Sequence, residues 1–432
     1  MDKFLLFSFL GMLIVVHHGV AGNVVIDDIG MLEELDQICW EMEEENKMES
    51  SPISSWTSER GSKVLVNVDS FGAVGDGVSD DTQAFQKAWD IACSTPGSVF
   101  LVPQGRTYLV NATRFQGPCS DRLVIQIDGT IRAPAEPKDW DPKFPRTWLE
   151  FYQLNGVLFQ GGGVIDGSGS IWWASSCKKN KSNPCRGAPT ALTIDSSSAV
   201  QIKGLTIQNS QQMHFVISRS DSIRVLGVLI SAPGDSPNTD GIHISASTDV
   251  SLQDCKIGTG DDCISIVNAS TGIKMKRIYC GPGHGISIGS LGKDNSTGIV
   301  SKVVVDTAFL QETTNGLRIK TWQTSAVNIS QIVYRNIRGT TKSAKAMKFA
   351  CSDTVPCRNI VLSNINLEKK DGTVETYCNS AEGFGYGVVQ PSADCLSSRD
   401  KEYVFINQQE DVQVAETSRS SSEDHDIVHT EL

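Results

Sequence analysis

The 432-residue chain has no Cys-x-x-Cys pair, no long basic run and, after its first residues, no apolar stretch long enough to span a bilayer. Without such cysteine pairs, a structural zinc site has little support, and we expect no metal and no cofactor. Without a basic run, nothing indicates nucleic-acid binding. A spanning helix needs about 20 apolar residues, so we expect no membrane association once the N-terminal run is removed.

The start of the chain has the pattern of a secretory signal peptide over residues 1–22. Lys3 provides a positive charge, residues 4–16 form a short apolar run, and Val20-Ala21-Gly22 offers small residues for cleavage. Twelve cysteines and five Asn-x-Ser/Thr sequons agree with a secreted, disulfide-bonded glycoprotein. We favour disulfides between cysteines that are close in sequence, namely Cys177–Cys185, Cys263–Cys280, Cys351–Cys357 and Cys378–Cys395.

Negative charge is concentrated near the two ends of the chain. Residues 27–50 carry ten acidic residues and one basic residue, and residues 397–432 carry nine and three. Removing these −9 and −6 contributions from the total of −12, with residues 1–26 neutral, leaves +3 for residues 51–396. A mildly basic body can approach a polyanion. Residues 27–50 are interpreted as a solvated tail; the alternative is an acidic segment that covers a basic cleft until it is removed.

The chain divides into four parts by composition. After the signal peptide, residues 23–62 form an acidic segment with a serine-rich linker, residues 63–396 form the body, and residues 397–432 form an acidic tail that we expect to be disordered. The body opens with a strand pattern and a glycine-rich loop at residues 71–77. Asp80-Asp81-Thr82 then predicts the start of a helix that covers one end of the body.

Short β-rich octets recur through the second half of the body, with further short strands between them. They lie at residues 200–207, 223–230, 250–257, 273–280, 303–310, 330–337 and 360–367. A period of 20–30 residues predicts a solenoid, and no amphipathic helices of 10–15 residues interrupt it, which excludes leucine-rich and doubly wound α/β folds. A β-sandwich would not keep one motif in register over consecutive repeats. The predicted fold is all-β, a right-handed parallel β-helix with a short N-terminal capping helix.

One strand pattern repeats at intervals of 22 residues. Asp240, Asp262 and His284 each begin a pentapeptide whose third and fifth residues are isoleucine, and Asn315 begins a similar one after a longer gap. In a solenoid, equal spacing means vertical stacking at about 4.8 Å per coil. Two carboxylates and an imidazole would then form a ladder on one wall, an arrangement that suits chemistry better than packing.

Four short motifs on these consecutive repeats carry the resemblance to a known family. They are Asn238-Thr239-Asp240, Gly260-Asp261-Asp262, Gly283-His284-Gly285 and Arg318-Ile319-Lys320. With them the chain resembles the polygalacturonases, pectin-hydrolysing glycosidases of β-helix fold, especially those of plants. The resemblance covers most of residues 64–396 and implies a secreted cell-wall enzyme that acts on polygalacturonate by inversion. We expect a monomer.

The chemistry of the residues leads in the same direction. Glycoside hydrolysis needs a proton donor and a carboxylate that activates water, and clustered carboxylates raise one pKa so that one group stays protonated. Asp261 lies just outside the register of Asp240 and Asp262, which favours Asp261 as the acid and the other two as the pair that holds water. His284 would tune the acid or bind substrate. The resemblance places Asn238, Arg318 and Lys320 in substrate binding, with the two cations on the galacturonate carboxylate.

One position departs from the family pattern. Family members commonly carry a Tyr before a Cys in the coil after the Arg-x-Lys strand, and here Ala350 precedes Cys351, with Phe349 expected to face the opposite way. Two alternatives follow: hydrolysis of another uronide backbone, rhamnogalacturonan or xylogalacturonan, and a non-catalytic pectin-binding protein. A calcium site is a further reading of clustered Asp, but His284, Arg318 and Lys320 are poor neighbours for Ca²⁺. We interpret His214, His243 and Trp172-Trp173 as structural.

Overall fold

The computed structural model describes residues 63–185 and 187–396. The predicted signal peptide (1–22), the acidic segment with its linker (23–62) and the acidic tail (397–432) lie outside the described residues. Among those described, no helix is both long enough and apolar enough to cross a membrane.

The described chain is built almost entirely of short strands. It has two α-helices, α1 (Thr82–Ser94) and α2 (Ser170–Ala174), and 3-10 turns at Val68–Phe71, Pro137–Asp139, Lys293–Asn295 and Asp394–Leu396. The strands are β1 (Val64–Asn67), β2 (Asp76–Asp80), β3 (Ser98–Val102), β4 (Thr107–Leu109), β5 (Thr113–Gln116), β6 (Val124–Ile127), β7 (Thr130–Arg132), β8 (Thr147–Tyr152), β9 (Leu158–Gln160), β10 (Val164–Asp166), β11 (Thr190–Asp195), β12 (Gln201–Lys203), β13 (Thr206–Gln208), β14 (Phe215–Ser218), β15 (Asp221–Leu226), β16 (Leu229–Ser231), β17 (Ile242–Ser245), β18 (Thr248–Gln253), β19 (Lys256–Gly258), β20 (Ile264–Ile266), β21 (Ser270–Cys280), β22 (Ile286–Leu291), β23 (Gly298–Thr313), β24 (Leu317–Thr321), β25 (Val327–Thr341), β26 (Lys345–Ala350), β27 (Cys357–Glu368), β28 (Glu375–Asn379) and β29 (Ala381–Gln390).

The strands wind into a right-handed parallel β-helix, as predicted. A ten-stranded sheet runs β5-β8-β11-β14-β17-β20-β22-β24-β26-β28 in chain order, and each of its strands pairs in parallel with the one a coil away. We call this the ladder sheet. The remaining paired strands form the other walls, which contain the octets.

The interior is a stack of aliphatic and aromatic side chains in matching positions. On the octet side the register aligns Ile202, Val225, Leu252, Met275, Val305, Tyr334 and Leu362, all of which are buried. The ladder sheet contributes a second buried stack, which is Ile217, Ile244, Ile266, Ile288, Ile319 and Phe349. Full burial of one such side chain contributes about 1.5–3 kcal/mol, so each coil is stabilised mainly by the coils above and below it.

A left-handed residue bends every octet at the same place. The residues with positive φ at this position are Gly204, Gly227, Asp254, Arg277, Thr307, Asn336 and Asn364. Early octets are interrupted at this residue and form two short strands, such as β12 and β13, whereas later ones continue through it as one strand, as in β23. The expected boundary of the sixth octet, 330–337, is wrong by two residues, because Leu310 pairs with Gly339 and Gly339 with Leu367. The repeat is 332–339.

The predicted N-terminal helix is present as α1, and its apolar face covers the end of the solenoid. Phe85 and Trp89 are buried, and the Trp89 ring lies 5.2 Å from that of Phe115 in an edge contact. Asp81 has a different role from the predicted cap. Its carboxylate accepts hydrogen bonds from the backbone N–H groups of Val74 (2.6 Å) and Gly75 (3.2 Å), which fixes the glycine-rich loop.

All four predicted disulfides are present, namely Cys177–Cys185, Cys263–Cys280, Cys351–Cys357 and Cys378–Cys395. A fifth, Cys93–Cys119, joins α1 to the segment after β5 across 26 residues and was not predicted. Among the described cysteines, Cys255 is buried and free.

Candidate active site

The register of the ladder sheet places the motif residues one above another. Ile242 pairs with Ile264, Ile264 with Ile286 and Ile286 with Leu317. The residues two positions earlier, Asp240, Asp262, His284 and Asn315, therefore occupy equivalent points on four consecutive coils. The predicted ladder lies along one edge of this sheet.

Among the three clustered carboxyl groups, Asp240 is the one whose ionisation the fold disfavours most. Its residue is 8% exposed, and Ser265 Oγ on the next coil donates a hydrogen bond of 2.8 Å to Asp240 Oδ2. Burial, with added repulsion from Asp261 and Asp262, raises the pKa of Asp240 to about 7. This group therefore carries a proton through the mildly acidic range.

Asp262 is paired with both cations of the Arg-x-Lys strand. Arg318 Nη2 donates to Asp262 Oδ1, and Lys320 Nζ lies 3.5 Å from Asp262 Oδ2. Ser287 Oγ donates to Asp262 Oδ1 at 2.8 Å and accepts from Arg318 Nε at 3.0 Å. Since Asp262 is only 2% exposed, these contacts compensate for the cost of burying its charge.

Asp261 has a different environment from its two neighbours. Its Oδ1 is 3.0 Å from His284 Nδ1 and accepts the Asp262 backbone N–H at 2.8 Å, while Oδ2 accepts from Asn238 Nδ2 at 3.3 Å. Burial alone would raise the pKa of Asp261, but the hydrogen bond and charge of His284 outweigh it and the pKa is lowered. The same hydrogen bond raises the pKa of His284.

The sequence of the body matches the model of a known protein family. The model of glycosyl hydrolases family 28 matches residues 93–338 and 322–389, and a model described as rhamnogalacturonase A/epimerase, pectate lyase-like, matches residues 65–116. The chain belongs to glycosyl hydrolases family 28. It is a glycoside hydrolase.

Relatives in family 28 are similar over most of their length. A probable polygalacturonase of Arabidopsis thaliana is 43% identical over 78% of this chain and 85% of its own. A polygalacturonase of Juniperus ashei is 41% identical over 77% of this chain and 74% of its own. Among solved structures, the endo-xylogalacturonan hydrolase of Aspergillus tubingensis superposes with a TM-score of 0.60 at 22% identity, over 78% of this chain and 98% of its own, and supports the fold.

Two serines complete the carboxylate environment of this family 28 chain and were missed in the sequence. Ser265 and Ser287 each reach back one coil, to Asp240 and Asp262 respectively. The signal was present, because both serines stand at the fourth position of the repeated pentapeptide and alternate with buried isoleucines. His243 occupies that position on the first coil, where its Nδ1 is 2.7 Å from Ser265 Oγ, and burial lowers its pKa to about 4.

Side chains interpreted as structural pack as expected in this region. His214 is fully buried, and its Nε2 accepts the Ser210 backbone N–H at 3.3 Å. Trp173 Nε1 donates to the carbonyl of the same Ser210 at 3.0 Å, and the Trp172 ring makes an edge contact with Trp140. These residues support the wall behind the ladder.

Asp261, Asp262 and His284 also meet the distance requirement for a metal site, since one ligand atom from each lies within 4.8 Å of the others. The contacts argue against a divalent cation at this cluster. Arg318 and Lys320 already neutralise Asp262, and the His284 ring that faces Asp261 has a raised pKa, which favours its cationic form. Calcium prefers a shell of oxygens without nearby cations.

Gly285, in the His284 motif, is required by the stacking of coils. Its φ is +92°, and a Cβ atom there would lie 2.1 Å from the carbonyl oxygen of Asn315 on the next coil. Close packing of one coil on the next therefore requires glycine at this position.

The departure at Ala350 has a simple structural form. Phe349 points into the core, as expected from strand alternation, while Ala350 faces outward at the position that pairs with Lys320. On the far side the register pairs Ala350 with Asn379. A small side chain thus stands where a large aromatic one was expected, beside a cation of the site.

Proposed function

We propose that this protein hydrolyses α-1,4-linked galacturonate in polygalacturonate with inversion at the anomeric carbon. The observation that carries the proposal is the juxtaposition of three carboxylates with Arg318 and Lys320 on consecutive coils. Carboxylates supply the acid and base of glycoside hydrolysis, and the paired cations select a negatively charged sugar. Relatives named polygalacturonases, at about 40% identity, support the same substrate.

Asp261 acts as the general acid. It is the carboxylate that contacts His284 and Asn238 instead of a serine on the following coil, so its surroundings differ from those of Asp240 and Asp262. In the free enzyme the Asp261–His284 pair holds one proton, because the pKa of His284 is raised. A galacturonate carboxylate bound to Arg318 and Lys320 adds negative charge and excludes water, and both effects raise the pKa of Asp261 toward the range that a donor needs.

Asp240 and Asp262 hold the attacking water between them on neighbouring coils. Asp240, whose pKa is about 7, keeps its proton in the resting site and orients the water. Asp262 accepts the proton of that water as the anomeric carbon is attacked, and Arg318 and Lys320 stabilise the arrangement. Direct attack by this water on the anomeric carbon, without a covalent sugar–enzyme intermediate, gives inversion.

Hydrolysis of another uronide backbone, rhamnogalacturonan or xylogalacturonan, is the second candidate. It is favoured by the small side chain of Ala350 beside Lys320, which leaves space for a substituent that a tyrosine would exclude. Release of reducing ends from unbranched polygalacturonate, xylogalacturonan and rhamnogalacturonan separates the two, and the main proposal expects the unbranched polymer to be turned over fastest. A non-catalytic binding protein is not supported, because all three carboxylates are in place.

Secretion to the cell wall and action as a monomer belong to this proposal. The signal pattern at residues 1–22 and the five sequons support export. The body at residues 63–396 would act on the polymer outside the cell. Residues 27–50 would be a solvated tail ahead of it.

The assignment of Asp261 is tested by Asp261→Asn. The amide keeps the shape but has no proton to give at working pH, so we expect release of reducing ends from polygalacturonate to fall by at least 10²–10³-fold. Circular dichroism and the thermal midpoint should match those of wild type. Asp90→Asn, an exposed change on α1, is the matched control and should retain full activity. Full activity of Asp261→Asn would refute the role of the acid.

A further inference from the structure

His243 lies beside the carboxylates but has no role in the proposed mechanism. It stands between Ile242 and Ile244 on β17, and because both isoleucines are buried in the core, the alternation of the strand turns His243 outward. Its Nδ1 is 4.0 Å from Asp240 Oδ2, and its side chain is 17% exposed. An imidazole with two polar nitrogens is therefore held at the edge of the carboxylate cluster.

Ser265 connects this imidazole to Asp240. The register pairs His243 with Ser265 on the next coil, where Ser265 is 2% exposed. The serine Oγ is 2.7 Å from His243 Nδ1 and 2.8 Å from Asp240 Oδ2. The three side chains thus form a continuous hydrogen-bonded chain that begins on the imidazole and ends on the carboxyl group.

The number of protons gives this chain a direction. A serine hydroxyl has one proton, and Ser265 donates it to Asp240 Oδ2, so its oxygen has to accept the hydrogen bond from His243. Burial lowers the pKa of His243 to about 4, against a smaller opposing effect of Asp262, so the ring is neutral in the mildly acidic range. A neutral imidazole has a single N–H group, and this contact assigns it to Nδ1.

The carboxylate on the next coil is held in the same manner. Arg318 Nε donates to Ser287 Oγ at 3.0 Å, and Ser287 Oγ donates to Asp262 Oδ1 at 2.8 Å. In both chains a nitrogen donor binds the serine oxygen, so that the serine proton is left for the carboxyl group. The donor for Asp240 is a neutral ring, whereas the donor for Asp262 is a cation, in keeping with the different roles proposed for the two carboxyl groups.

We propose that His243 is a positioning residue of the hydrolytic site, which donates from Nδ1 to Ser265 and thereby commits the serine proton to Asp240 Oδ2. The acid proton of Asp240 is then left on Oδ1, where it is available to orient the attacking water. The proposal rests on the proposed function and extends it, because His243 acts through Ser265 without touching the substrate. Without this donor, the buried serine oxygen loses its partner and the hydroxyl is free to turn away from Asp240.

The test compares two replacements of His243 in the hydrolysis of polygalacturonate. His243→Leu removes the donor with little change in volume, whereas His243→Asn places an amide N–H where Nδ1 stands. We expect the leucine variant to lower kcat about tenfold, or about 1.4 kcal/mol in activation free energy, with KM within about twofold of wild type. The asparagine variant should retain kcat within about threefold of wild type. Ser245→Ala, two residues along the same face of β17, is the matched control and should keep full activity.

A double-mutant cycle with Ser265→Ala shows whether His243 acts through the serine. Ser265→Ala alone should lower kcat about tenfold, and adding His243→Leu should lower it by less than about twofold more. Independent losses that multiply would indicate a merely structural imidazole and overturn the proposal. Equal losses for the leucine and asparagine variants would overturn it as well. So would a rise in KM with unchanged kcat, because that result marks a direct contact with the substrate.

The tautomer of His243 tests the hydrogen-bonded chain without any turnover. In nitrogen NMR spectra of wild-type protein with isotope-labelled histidine, assigned with the help of His243→Asn, we expect the proton of the neutral ring on Nδ1. Ser265→Ala should reduce this Nδ1–H form, because its acceptor is gone. A proton on Nε2 in the wild type would overturn the proposal. An Nδ1–H ring that depends on Ser265, in a protein that does not hydrolyse polygalacturonate, supports the chain and refutes the proposed hydrolysis.

Discussion

Asp240 illustrates how a single buried carboxyl group connects folding with chemistry. Its carboxyl group accepts a hydrogen bond from Ser265, and the pKa of His243, 4.0 Å away, is lowered by burial, so burial dominates the titration of Asp240. Its neighbour Asp262 has two cations within reach. Two residues of the same type, one coil apart, are thereby divided into a group that keeps a proton and a group that is paired.

The raised pKa of Asp240 predicts a specific dependence of stability on pH. A carboxyl whose pKa rises from its ordinary value of 3.8 to about 7 on folding loses its stabilising contribution as pH increases through this range. Relative to wild type, Asp240→Asn should therefore gain unfolding free energy between pH 4 and pH 7, by up to about 1.4 kcal/mol per pH unit. Urea denaturation of both proteins at pH 4.5, 6 and 7.5 measures this difference in unfolding free energy. A constant difference across the three values would contradict the raised pKa.

At the residue scale, the sequence predicts which side chains lie on the same sheet of the solenoid, but not which hydrogen-bond and ion-pair partners they have. The 22-residue spacing fixes the stacking of Asp240, Asp262 and His284. It does not reveal that Arg318 bonds Asp262, because a long side chain on an outward position can reach several neighbours. Nor does it single out Ser287 from other serines.

The octet is the element in which backbone conformation matters most. Its left-handed position accepts Gly, Asp, Arg, Thr and Asn in different coils. Glycine reaches this conformation without steric cost, and Asn and Asp tolerate it through local hydrogen bonds. A glycine in a ladder-sheet turn is under a stricter requirement, since another backbone lies against it.

These two kinds of glycine predict opposite outcomes for substitution. Gly285→Ala places a Cβ 2.1 Å from a backbone oxygen at a φ of +92°, so we expect a loss of about 2–3 kcal/mol in unfolding free energy. Gly227→Asn has a φ of +64° with nothing within 4 Å of the added Cβ, and should change stability by less than about 1 kcal/mol. Denaturant midpoints of the two variants provide the comparison. Similar losses for both would show that coil contact is not what requires Gly285.

The boundaries of the strands are the feature that is hardest to predict from the sequence. The sixth octet was placed at 330–337 because Ile337 fits the aliphatic pattern, whereas the equivalent of Leu310 is Gly339, where a side chain would lie 1.9 Å from the Leu310 carbonyl oxygen. The hydrophobic pattern alone cannot predict that a glycine occupies the last position of this octet, where Leu310 stands in the octet before it. The helix α1, by contrast, follows its apolar periodicity closely.

At the scale of the molecule, period and composition were sufficient for the fold class. A motif kept in register over consecutive repeats leaves few architectures other than a solenoid. Disulfides between segments that are distant in sequence cannot be predicted from the period or the composition. Cys93–Cys119 joins the capping helix to the body, and nothing in the spacing of those cysteines distinguishes this pairing from others.

The disulfide beneath the site predicts a global effect. Cys263–Cys280 closes a loop across 17 residues between the coil of Asp262 and the coil of His284, so replacing both with Ser should lower the unfolding free energy by about 3 kcal/mol. The Cys177–Cys185 pair spans 8 residues in a surface loop, and its double Ser variant serves as the comparison, with a smaller loss expected. Guanidinium unfolding measures both. An equal or smaller loss for the Cys263–Cys280 variant would contradict the prediction.

Each coil of the ladder sheet adds one fixed step along the solenoid axis, so the number of coils sets the distance between two positions on this sheet. In the proposed mechanism, the bond is cleaved at the coils of Asp240 and Asp262, and Arg318 and Lys320 hold the substrate from a later coil. Duplication or loss of one whole coil between the carboxylates and these two cations would change their separation by a single step of about 4.8 Å, without disturbing the carboxylates or the cations themselves. The distance between the cleaved bond and the cations that hold the substrate can therefore change only in whole steps. The length of the product would then follow the number of coils.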